Sequence, residues 1–88
     1  MKLNFKQIEV EVMFGEFMTI DISKEVGNYI HANTPDIGLD DLAREIFYSE
    51  GEVEVSGEYA QTIKMMVEDA RCPLVASVKK AILKQLNP

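Results

Sequence analysis

One cysteine, one histidine, three prolines and no tryptophan occur among the 88 residues of the chain. A lone Cys72 cannot close an intramolecular disulfide, and secreted domains of this length usually carry two or more bridges; a reducing, cytoplasmic setting is expected. His31 and Cys72 together are also too few for a structural zinc site, which needs four ligands drawn largely from those two types. Long apolar runs are missing as well. No stretch approaches about 18 apolar residues, and Met1 to Gln7 hold no apolar h-region, so neither membrane spanning nor export is expected. The chain has no Gly-x-Ser-x-Gly and no phosphate-binding glycine loop, and Asp36, Asp40 and Asp41 do not follow the EF-hand spacing. Neither a catalytic set nor a cofactor or metal site is expected, and the function expected is noncatalytic.

What is present fits an ordinary globular chain: 47% hydrophobic and 27% charged residues are too apolar for a disordered segment. A chain of this size supports one core, so residues 1–88 read as a single domain. The net charge of -6 is unevenly spread. Residues 71–88 hold Arg71, Lys79, Lys80 and Lys84 with no acid, which makes a +4 segment on a body of -10. Direct nucleic-acid binding is not expected from so acidic a body, and three helix lysines are too few to supply it.

Ile8, Val10 and Val12 alternate with Glu9 and Glu11, and Met18, Ile20 and Ile22 alternate with Phe17, Thr19 and Asp21. Both runs have the period of half-buried strands. Placing the even-numbered residues of both on the core requires an odd loop, which excludes a two-residue turn. The loop expected is Met13-Phe14-Gly15 with Gly15 left-handed, which pairs Val12 with Glu16, Val10 with Met18 and Ile8 with Ile20, or else Phe14 to Glu16. Ser23 is placed to cap a helix carrying Val26, Tyr29 and Ile30, which Thr34-Pro35 ends. Leu39, Leu42, Ala43, Ile46 and Phe47 mark a second helix, Glu52 to Ser56 a third strand, Tyr59 to Ala70 a third helix and Leu74 to Leu86 a fourth. The fold class expected is α+β, order ββααβαα, with a small antiparallel sheet of order 1-2-3 and helices on one face.

On that sheet Glu9, Glu11, Asp21, Glu52 and Glu54 all face outward, an acidic surface suited to a basic partner. Glu9 and Glu11 directly across from Glu52 and Glu54 would weaken pairing, which puts the second strand in the middle. Phe17, Met65 and Leu83 fall off the assigned stripes and would, if they converge, form an apolar contact. His31 reads as a surface histidine and Cys72 as filler in an interhelical link. The function expected is a small protein-interaction module that self-associates as a homodimer or engages another protein. Two alternatives stand beside it. One is an acidic regulator that imitates nucleic acid toward a nucleic-acid-binding protein. The other is a small-ligand-binding or enzymatic subunit whose site, near Tyr29, His31 or Tyr59, is completed in an oligomer.

Overall fold

A computed structural model describes residues 1–87. Its elements are β1 (Lys2–Leu3), β2 (Ile8–Met13), β3 (Glu16–Ile20), α1 (Ser23–Asn33), α2 (Ile37–Phe47), β4 (Val53–Glu54), α3 (Gly57–Glu68) and α4 (Ala76–Leu86). The expected α+β class and the order ββααβαα are present, preceded by a two-residue strand that sequence periodicity left unassigned. The three-stranded sheet of order 1-2-3 is not formed. Instead β2 pairs with β3 and β1 with β4, in two antiparallel ribbons. The reason lies in β4: Glu54 pairs opposite Lys2 and Leu3 opposite Val53, which removes the like-charge conflict by giving the acidic strand a partner that carries a cation.

The hairpin keeps two of the three expected pairs, Ile8 with Ile20 and Val10 with Met18, whereas Glu16 pairs with Met13 in place of Val12. Its loop is nevertheless the two residues Phe14 and Gly15, between paired Met13 and Glu16, with Val12 as an extra residue in β2. The bulge supplies the odd residue that the parity argument had placed in the loop. Gly15 has φ +83°, in the left-handed region open to glycine, and its N–H donates to a Glu11 carboxylate oxygen at 3.0 Å. Ile8 and Val10 are buried, whereas Val12 and Met18 point into water against expectation. The ribbon outruns the core beneath it.

Asp36 accepts from Leu39 N–H to cap α2, and Ser56 from Tyr59 N–H to cap α3, each contributing about 1 kcal/mol. Ser23 does not cap α1. It is the first helical residue, and its N–H and hydroxyl both donate to Asp21, bonds that hold the Asp21 carboxyl below its ordinary range. Thr34, extended ahead of Pro35, ends α1 as expected. Ala70 falls past the end of α3 and is exposed. Gly27 lets α1 and α2 close: a β-carbon there would stand 2.9 Å from the Ala43 carbonyl oxygen and 2.9 Å from Phe47 Cβ.

The core takes buried residues from every element except β3, whose half-buried Ile20 packs against it: Leu3, Phe5, Ile8, Val10, Val26, Ile30, Leu39, Ile46, Val53, Ile63 and Ile82 are among its buried residues. Helix α4 packs on β2 and α3. Its Gln85 amide pins it in place, accepting from Asn4 N–H at 2.9 Å and donating to Asn4 O at 3.0 Å. In the α3–α4 link, Asp69 accepts from the Arg71 backbone and guanidinium, while Lys79 Nζ donates to Asp69 O.

The Arg71 hydrogen bonds bring the Asp69 carboxyl down from 3.8 to about 2. A carboxyl depressed on folding adds stability above its unfolded pKa and loses it as pH falls through the folded value. Asp69→Asn is therefore expected to lower the thermal midpoint at neutral pH, with the gap to the parent chain closing from about pH 4 to pH 2. Thermal melts across that window check it, and a gap that does not change with pH refutes the pairing.

Candidate functional site

Cross-strand partners share a face of a ribbon, so the pairs Glu9 with Thr19 and Glu11 with Phe17 set two carboxylates and an aromatic ring side by side. On α4, Ala76, Lys80 and Lys84 recur every four residues, and Ser77, Ala81 and Gln85 form the adjoining row. Packing of α4 on β2 brings the two surfaces together around an open groove of about 1170 Å³. Glu9 and Glu11 line the hairpin side, Lys80 and Lys84 the helix side, and Met13, Phe14 and Phe17 add apolar surface. The small side chains of Ala76, Ser77 and Ala81 leave the helix wall low. Phe14 is 100% exposed at the hairpin tip, with Val12, Met13, Phe17 and Met18 exposed around it. These form an apolar cluster rimmed by both signs of charge.

Of the acids expected on one sheet face, the structure groups only Glu9 and Glu11 in this groove. Glu52 and Glu54 lie at or in β4, on the other ribbon, with Glu54 paired opposite Lys2. Asp21 is engaged by Ser23. The apolar residues separate too. Phe17 is 56% exposed in the groove, Met65 is 64% exposed on α3, and Leu83 packs against the core. Sequence periodicity missed the contribution of Met13, Phe14, Lys80 and Lys84. A large aromatic beside the turn glycine was the available signal for Phe14.

Tyr29, His31 and Tyr59 do not converge. The Tyr29 hydroxyl donates to the Met66 carbonyl at 3.3 Å, the Tyr59 hydroxyl approaches Asp36 at 3.4 Å, and His31 Nδ1 bonds the Asp40 carboxylate. Burial, reinforced by the Asp36 charge, pushes the Tyr59 phenol above its ordinary range. Beside His31, a cleft of about 150 Å³ runs between α1 and α2, lined by Asn28, Asp40, Arg44 and Tyr48 among others. Small-molecule sites usually enclose about 300–1000 Å³, so this cleft is small for one and the hairpin groove is larger than most. Cys72 is buried and free in the α3–α4 link. Among the described residues, no group of three or more His, Cys, Asp or Glu side chains is placed to hold a metal ion, and no helix is long and apolar enough to cross a membrane.

Comparison of the chain with protein-family models, with curated proteins and with solved structures gives no match.

Proposed function

We propose that the protein is a noncatalytic protein-interaction module, acting in the cytoplasm, that receives a segment of another protein in the groove between the hairpin and α4. The observation carrying this reading is the exposed cluster Val12, Met13, Phe14 and Phe17 beside a groove whose walls bear Glu9 and Glu11 on one side and Lys80 and Lys84 on the other. Methionine and aromatic side chains within a charged rim are the composition of protein docking sites. A segment with apolar anchors, a cation for the glutamates and an acid for the lysines fits that layout. Imitation of a nucleic acid has less support, because a row of like charges is what it needs and the acids here are divided between two ribbons and a helix start.

Affinity capture from the host lysate tests the reading, with washes at low and high salt. A protein held by apolar anchors is expected to stay through the high-salt wash, because only the charged rim is screened. It should be lost from a Phe14→Ser, Phe17→Ser double variant and kept by Met65→Ser, which alters an exposed methionine on α3 away from the groove. Capture that survives the double variant, or that is lost only with Met65→Ser, sinks the proposal.

A further inference from the structure

Among the described elements, β3 alone contributes no buried residue. Glu16 to Thr19 are exposed on both faces and only Ile20 is half-buried. One edge of β3 is taken by β2, and no other described strand pairs with it. Single-chain proteins protect such an edge with lysine, proline, a bulge or a covering element. This strand, Glu-Phe-Met-Thr-Ile, has no lysine or proline, carries its one charge at its end, and faces a bulge that lies in β2. A lone two-stranded ribbon is also marginally stable in water. The chain leaves 5767 Å² exposed, against about 5200 Å² for a folded monomer of its mass.

We propose that the free edge of β3 pairs antiparallel with β3 of a second copy, about a two-fold axis through Met18, to join two hairpins into one four-stranded sheet. The proposal rests on the reading that the hairpin is a contact surface, but it uses the strand edge and leaves the groove open. The register follows from symmetry. An axis normal to the sheet keeps each face on its own side, so one residue must lie opposite itself. Only Met18, the midpoint of Glu16–Ile20, allows all five residues to pair.

In that register Glu16 faces Ile20 of the second copy and Phe17 faces Thr19, an aromatic against a β-branched residue, and no like charges meet. Met18 meets itself, and its side chain adapts to such a contact. Two bodies of charge -6 repel, which favours contact at an element with so little charge of its own. A strand that opposes itself without conflict is suited to its own copy. The symmetry also sets both Glu9, Glu11 and Phe17 faces on the same side of the joined sheet, so that a bivalent partner would engage two grooves at once.

The test is sedimentation equilibrium of the parent chain, Met18→Lys, Met18→Glu and an equal mixture of the two variants. Met18 is 57% exposed, so both charges are tolerated in a monomer, and circular dichroism verifies the fold. The expected result is a parent chain at twice its 9.9 kDa mass, each variant alone at the single mass, and dimer restored in the mixture. Restoration singles out this register, because only there do the two charges face each other. A monomeric parent chain, or variants that remain dimeric alone, overturns the proposal. A monomeric parent that still loses its captured protein on Phe14→Ser, Phe17→Ser overturns the pairing and leaves the docking reading intact.

Discussion

In urea, the Phe5→Ala variant is expected to unfold far below the midpoint of the parent chain, having lost about 3–5 kcal/mol. Phe5 is the largest of the fully buried side chains, at 1% exposure, and its carbonyl accepts from Ile22 N–H at 2.9 Å. It therefore fills the core and ties the segment after β1 to the end of the hairpin. Domains are stable by about 0.05–0.15 kcal/mol per residue, or roughly 4–13 kcal/mol for a chain of this length. Removal of one ring would take a large part of that. Equilibrium unfolding with unchanged slope measures the loss, and a change under about 1 kcal/mol would mean that Phe5 is not a core residue.

Gly27→Ala is expected to lower the thermal midpoint by about 5–15 °C, and Gly38→Ala by far less, although Gly38 has the shorter contact. A β-carbon at Gly38 would come within 2.1 Å of the Tyr59 hydroxyl. That hydroxyl is the far end of a half-exposed side chain whose bond to Asp36 is 3.4 Å long, and it can swing toward solvent. At Gly27 the obstacles are the Ala43 carbonyl and the Cα and Cβ of Phe47, which move only if α1 and α2 separate. Helix propensity favours alanine by about 1 kcal/mol at either site, so a loss at Gly27 measures the closeness of the two helices. Thermal melts of both variants decide it. Equal shifts would refute the distinction between rigid and yielding neighbours.

The elements of this fold were legible where their signal is local. Alternation from Ile8 to Ile22 gave the hairpin and two of its three expected pairs, Gly15 the left-handed turn position but not the loop length, and the stripes of α1 to α4 their helices. Alternation tells which face a residue takes and not how far the core extends beneath it, which is why Val12 and Met18 were expected inside. The pairing of β4 left no local trace. Lys2-Leu3-Asn4-Phe5 alternates, but for too few residues to stand out, and the rule against opposed glutamates was met by a strand not yet recognised. The same division runs through the candidate site. Glu9, Glu11 and Phe17 on one outward face follow from strand period, whereas the opposing Lys80 and Lys84 depend on α4 docking against β2. That docking is fixed by tertiary contacts such as Gln85 with Asn4.

The split into two ribbons also orders events in time. Ile8 and Ile20 close a loop of 12 residues, whereas Leu3 and Val53 close one of 50. Each doubling of a loop costs about 0.6 kcal/mol, so the second closure is dearer by about 1.2 kcal/mol before any contact rewards it. The hairpin and the α1–α2 pair are assembled from neighbours along the chain and can form early. Pairing of β1 with β4 has to wait for the chain between them to become compact, and the Gln85 clasp on Asn4 spans 81 positions. Docking of the segment from Lys2 to Gln7, and with it the burial of Phe5, is therefore expected to follow the hairpin and the α1–α2 pair in folding.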